Sequence, residues 1–171
     1  MDQLMLFDDP RCRGNLLPFT FTRPLADLRV GILKISEKWE KHLQTNGVGF
    51  LTQDYLQPKF PSVSGPAMYI NGALCPDPDL ISAIQALSKN EALWHQETLL
   101  ATHLEMPQQF KSDHLPQKKS VKYEKDIRLL SRNWHIFQWN GSEIKNDFDL
   151  LTKRRVSWGT DDPHTHIYNE P

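Results

Sequence analysis

A four-residue apolar run, Leu4-Met5-Leu6-Phe7, is stopped at once by Asp8, Asp9 and Pro10. A stretch that is apolar on both of its faces, and too short for a buried helix, suits a parallel strand covered on both sides with a loop at its carboxyl end. Residues 48–52 and 67–70 read as second and third strands, separated by a proline-rich connection over residues 58–66. Between the first and second strands, Ile32, Ile35, Trp39 and Leu43 recur at three- and four-residue intervals among Lys34, Glu37, Lys38, Glu40 and Lys41, which is the pattern of an amphipathic helix. Asn46-Gly47 ends it. Asp77 before Pro78 is a helix start, with an acceptor at the cap and a proline in the first turn, and Leu80, Ile81, Ile84 and Leu87 supply the apolar face. Alternating strands and helices predict an α/β fold with a largely parallel sheet, in which ligands bind beyond the carboxyl ends of the strands. Two such ends stand out: residues 8–24, of which 11–24 read as a long loop, and residues 71–77.

Farther along, residues 92–95 and 98–104 read as two strands joined by Gln96-Glu97. Residues 105–126, with Lys118, Lys119 and Lys122 close together, read as a solvated surface excursion. Trp134, Ile136, Phe137 and Trp139 make residues 133–140 aromatic. After Gly141, the residues Ile144, Phe148 and Leu151 mark a last helix closed by Lys153, Arg154 and Arg155, cations suited to a helix C-terminus.

At 171 residues the chain fits one domain, or one domain with a short appendage. Twenty lysines and arginines balance 21 aspartates and glutamates, so no global basic surface exists for nucleic acid. No apolar stretch approaches the roughly 20 residues that a membrane span requires. Cys12 and Cys75 match no zinc or redox spacing and no secretory signal opens the chain, so both read as reduced thiols of a cytoplasmic protein. Of the five tryptophans, Trp39 and Trp134 are expected in the core. His164 and His166 are two imidazoles without a third ligand, and Asp54 with Tyr55 begins a short helix.

The stretch Leu16-Leu17-Pro18-Phe19-Thr20-Phe21-Thr22-Arg23-Pro24-Leu25-Ala26-Asp27-Leu28-Arg29-Val30-Gly31-Ile32 resembles the amino-terminal segment of sugar-1-phosphate nucleotidyltransferases. In those enzymes a first strand and a glycine-rich loop with arginine lead through a Pro-x-Thr-x-x-x-Pro-Lys run into a Pro-Val-Gly turn and a helix. A closer resemblance is to the sugar nucleotidyltransferases common in Bacteroidetes, whose amino-terminal domain is similar to that of N-acetylglucosamine-1-phosphate uridyltransferase. It rests on Leu6-Phe7-Asp8-Asp9, Phe21-Thr22-Arg23-Pro24, Ala26-Asp27-Leu28-Arg29-Val30-Gly31-Ile32, Glu37-Lys38-Trp39, Leu51-Thr52-Gln53-Asp54-Tyr55-Leu56, Ile70-Asn71-Gly72 and residues 134–140.

The resemblance implies a Rossmann-like nucleotidyltransferase-type three-layer α/β sandwich with a mostly parallel sheet over residues 1–155. Residues 156–171 would be a polar linker to a left-handed β-helix through which the full-length protein forms a homotrimer. It implies transfer of a nucleotidyl group from an NTP to a sugar-1-phosphate with release of pyrophosphate and with Mg2+, in the supply of sugar nucleotides for cell-envelope polysaccharide. Converging phosphate charges call for guanidinium groups and a carboxylate-held divalent ion. On this reading Arg23 and Arg29 are catalytic candidates. Arg13, Asn15, Asn71 and Gly72 would contact nucleotide or phosphate, with Arg11 a further cation in reach, and Asp8 and Asp9 would hold the metal. Each has a plainer alternative: salt bridges for the arginines, Asp27 being one partner, a strand-end cap for Asp8 and Asp9, and a turn for Asn71-Gly72. The chain departs from the broader pattern in three places. Its first loop has one glycine, Gly14; Leu25 stands where lysine is usual; and Gly72-Ala73 stands where a Gly-Asp pair is usual. These departures motivate a second reading, a noncatalytic nucleotide-binding or assembly module attached to an acyltransferase-like β-helix.

Overall fold

The computed structural model describes residues 3–45, 47–104, 120–153, 155, 156 and 164. In chain order the elements are β1 (Gln3–Phe7), α1 (Pro10–Asn15), α2 (Ile35–Leu43), β2 (Gly49–Leu51), β3 (Ala67–Asn71), β4 (Leu74–Cys75), α3 (Pro78–Gln85), β5 (Ala92–His95), β6 (Thr98–Leu104), β7 (Ser120–Lys122), β8 (Arg128–Leu129) and α4 (Asn133–Thr152). Six strands form one sheet in the order β2-β1-β3-β6-β5-β7, and β4 pairs with β8 separately. β1 runs parallel to both β2 and β3, β6 is antiparallel to β3 and β5, and β7 is parallel to β5. The result is a mixed α/β fold of Rossmann-like nucleotidyltransferase type, with a mostly parallel sheet flanked by helices.

The first strand explains its own sequence. Leu4 and Leu6 enter a large core cluster shared with Trp39, Leu80 and Ile84, whereas Met5 and Phe7 enter a smaller one on the opposite face with Tyr69 and Leu99. Side chains alternate across a strand, so burial of both faces demands an uninterrupted apolar run. β1 lies between β2 and β3, which follow it on opposite sides, and that divergence leaves a crevice at their carboxyl ends.

Several elements differ from the sequence expectation. The segment beyond β1 is not all loop, because Asp9 caps α1 by accepting the Arg11 N–H at 2.9 Å and Pro10 sits in the first turn. α2 starts at Ile35 instead of Ile32, since Asp147 accepts the Ile32 and Leu33 N–H groups at 2.9 and 3.0 Å and holds them in a turn. Gly141 does not start the last helix. α4 runs through it and includes the aromatic stretch before it. Trp39 is fully buried, its indole N–H donating to the Leu74 carbonyl at 2.9 Å, but Trp134 is 56% exposed, contrary to the core expectation. β7, including the exposed Lys122, occupies part of the expected excursion. Lys118, Lys119, Trp158 and His166 lie outside the described residues, as does most of the 156–171 tail; His164 is exposed. No described helix is long and apolar enough to cross a membrane.

α4 is fastened to the body by buried charge. Lys38, 1% exposed on α2, donates to Glu143 at 2.7 Å and to Asp147 at 2.5 Å, and Arg128 donates to the other Glu143 oxygen at 2.5 Å. Gly31 lies beneath this cluster with φ +89°, and a Cβ there would fall 2.6 Å from an Asp147 carboxylate oxygen, so only glycine permits the approach.

Candidate functional site

Asp8 and Asp9 follow β1 and face opposite tasks. The Asp8 side chain, 5% exposed, accepts the Leu25 N–H at 2.8 Å through Oδ1, and Oδ2 accepts Arg13 Nη1 at 2.6 Å and the Thr52 hydroxyl at 2.5 Å. Burial pushes its carboxyl above the ordinary value, against the lowering pull of Thr52, the Leu25 N–H and Arg13. Arg13 extends from that pair into the following loop. Its guanidinium donates to the Arg23 carbonyl at 3.3 Å, to the Thr20 carbonyl and to the Tyr55 hydroxyl at 3.1 Å. Tyr55 in turn donates to the Phe21 carbonyl at 2.8 Å. Asp8 and Arg13 therefore fold residues 16–24 over the carboxyl end of β1.

Asp9 instead borders open space. A cavity of about 330 Å³ lies beyond β1 and the β5–β6 turn, lined by Phe7, Asp9, Pro10, Arg11, Trp94, Glu97 and Leu99. The Arg11 side chain, 59% exposed, spans its mouth: Nε stands 3.5 Å from Asp9 Oδ1 and Nη2 donates to the Glu97 carbonyl at 3.1 Å. Asn71, at the end of β3, is fully buried. Its amide donates to the Leu99 carbonyl at 3.1 Å and to Asp9 Oδ2 at 3.3 Å, and its Oδ1 accepts the Ala73 N–H at 3.0 Å. Gly72 lies against β1, donating its N–H to the Phe7 carbonyl at 2.8 Å.

The expected site residues thus separate. Asp9 and Arg11 line the cavity, with Asn71 behind Asp9. Asp8 and Arg13 are engaged with protein groups. Asn15 donates to the Arg11 carbonyl at 2.9 Å at the end of α1. Arg29 donates to the Ile32 carbonyl within its own turn. Arg23 is exposed, and its guanidinium has no hydrogen-bond or ion-pair partner among the described residues. Leu25 and Ala73, where the broader pattern carries lysine and aspartate, are both fully buried apolar residues. Sequence reasoning did not single out Glu97, and it weighed Trp94 only among five tryptophans; the signal for both was their place at the Gln96-Glu97 turn, where Gln96 adopts φ 51°.

For a divalent ion Asp8 is the poorer candidate, because its buried carboxylate already accepts three hydrogen bonds, one of them from a guanidinium, and it does not line the cavity beyond β1. Asp9 fits better: among the described residues its Oδ2 takes only the long bond from Asn71, and it borders the cavity that Glu97 also lines. No group of three or more metal-ligating side chains occurs among the described residues.

Cys12 and Cys75 are buried, and burial is the main cause that pushes each thiol up to about 12. A neutral thiol is a poor nucleophile. Neither is expected to react with an aromatic disulfide reagent in the native protein at pH 8, and both should react once urea unfolds the chain. Rapid native labelling of Cys12 would show that α1 opens readily.

The parallel β2-β1-β3 half-sheet has Asp9, Arg11, Trp94 and Glu97 around one cavity beyond the end of β1, the place where open α/β sheets bind ligands. Residues 4–156 match the sugar nucleotidyl transferase family, and the chain belongs to it. No curated protein matches the chain at a significant level.

Proposed function

We propose that this domain transfers a nucleotidyl group from an NTP to a sugar-1-phosphate, releasing pyrophosphate, at the cavity beyond β1. The observation that carries the reading is the meeting of Asp9, Arg11, Trp94 and Glu97 around one opening, in a chain of the sugar nucleotidyl transferase family. The Arg11 guanidinium pairs phosphate oxygens, a role that its planar fork fits. Trp94 offers a flat apolar face for a base or sugar ring. Arg23, whose guanidinium has no partner among the described residues, would add a further cation from the loop that Arg13 holds, and Asn71 backs the cavity behind Asp9. Asp9 with Glu97 would hold Mg2+, which when bound neutralises developing phosphate charge. Such chemistry draws on a cytoplasmic NTP pool, where Cys12 and Cys75 remain reduced.

Calorimetry with NTPs, sugar-1-phosphates and UDP-sugars, with and without Mg2+, tests the binding, and a pyrophosphate-release assay tests the transfer. Arg11→Ala should weaken phosphate-bearing ligands by about 1.5–3 kcal/mol, the range for a hydrogen bond to a charged group. Arg23→Ala should lower pyrophosphate release while leaving the melting temperature unchanged. Heat from none of these ligands would remove the proposal, and binding without pyrophosphate release would reduce it to nucleotide binding alone.

A further inference from the structure

α4 carries two apolar stripes where a surface helix needs one. Ile136 and Trp139 pack on the core, and Glu143 and Asp147 on the same side are the buried partners of Lys38. On the other side Trp134, Phe137, Ile144 and Phe148 are 56%, 83%, 41% and 58% exposed, and Leu151 is half-buried. With Gly141 these positions follow alternating steps of three and four residues, the spacing of a coiled-coil seam. Gly141 sits mid-seam and mid-helix, where glycine disfavours the helix relative to alanine. Among the described residues, nothing outside its own helical turn lies within 4 Å of where its Cβ would be, so their packing gives no reason for glycine there.

We propose that α4 packs antiparallel against α4 of a second copy of this chain, about a two-fold axis between residues 142 and 143. The sequence is self-complementary about that axis. Gly141 of one copy meets Ile144 of the other, Phe137 meets Phe148, and Trp134 meets Leu151, so each seam layer sets small against large or ring against ring. Along the exposed flank, Gln138 lies beside Lys145 of the other copy and no like charges oppose. A parallel pair would set Gly141 against Gly141 and leave a void between bulky layers. The isologous arrangement also closes, with the same patch on both subunits. The exposed parts of the four large side chains amount to roughly 500 Å² per copy, or about 1,000 Å² for the pair, which reaches the size of a specific interface.

Sedimentation equilibrium of the full chain should give a dimer. Phe137→Glu and, separately, Phe148→Glu should each weaken it by about 100-fold or more, as expected for central aromatic anchors, with far-UV circular dichroism and melting temperature retained. Chains bearing Phe137→Cys mixed with chains bearing Phe148→Cys should form the mixed disulfide on oxidation, and neither should link to itself. A monomer at concentrations on the order of 100 μM would overturn the proposal, as would residues of the same chain covering the seam. So would an oligomer, trimers included, that is indifferent to Phe137→Glu, or cross-linking of position 137 to itself.

Discussion

Replacing Lys38 with methionine is expected to cost about 3–5 kcal/mol of stability, the range for breaking a buried ion pair by removing one partner. The Lys38 side chain and its two carboxylate partners are each 2% exposed, so water cannot take the place of the ammonium group. Its loss leaves Glu143 with Arg128, which is partly solvated, and Asp147 with the N–H groups of Ile32 and Leu33. These remaining donors stop short of compensating two carboxylates that share one small space. Methionine matches the length of the lysine stem, so lost packing contributes little and the effect isolates the charge. Because Asp147 also holds the turn ahead of α2, the same substitution loosens α4 and that turn together. Thermal unfolding should fall by roughly 10 °C for a chain of this size. A change of less than about 1 kcal/mol in a urea titration would mean that the cluster is open to solvent and the carboxylates are already satisfied.

That cluster also shows why part of the fold was legible in the sequence and part was not. Apolar periodicity is a local signal, and it located β1, β3, α2 and α3 within a few residues of their observed bounds. The Asp77-Pro78 start was equally readable, since Asp77 accepts from the Asp79 and Leu80 N–H groups at 3.0 Å, a purely local arrangement. Long-range partners leave no such trace. Asp147 contacts Ile32 and Leu33 across more than 100 residues, so the true start of α2 was hidden, as was the reason for Gly31. Trp134 misled because bulk normally implies burial. Its stripe is apolar for a different purpose on the reading proposed above. At the site, the strand ends and the acidic pair were visible from residue type and position. Which of Asp8 and Asp9 faces the cavity was not, because Arg13, Thr52 and the Leu25 N–H converge on Asp8 only in three dimensions. Glu97 and Trp94 reach the cavity through the β5–β6 turn, and no local pattern ties that turn to β1.

Removing Arg13 should have the second large effect, and its character separates two roles for this side chain. As a direct phosphate ligand, Arg13 would weaken nucleotide binding when replaced and leave the free protein intact. The geometry gives it instead a positioning role, through Asp8, the carbonyls of Thr20 and Arg23, and the Tyr55 hydroxyl. Arg13→Ala strips the buried Asp8 carboxylate of its cation and leaves the Thr20 and Arg23 carbonyls without their donor. A loss of roughly 3–5 kcal/mol follows from the uncompensated pair alone. Residues 16–24 should then become a protease-sensitive loop in the absence of any ligand. Arg13→Lys retains a cation beside Asp8 but cannot span to the loop carbonyls, because an ammonium lacks the planar fork. It should recover part of the stability while the loop stays cleavable and pyrophosphate release stays low, since Arg23 is no longer held in place. Urea unfolding, limited proteolysis and the release assay on the two variants decide the matter. Wild-type stability in Arg13→Ala, with the loop still protected and only ligand affinity reduced, would return Arg13 to the role of a phosphate ligand.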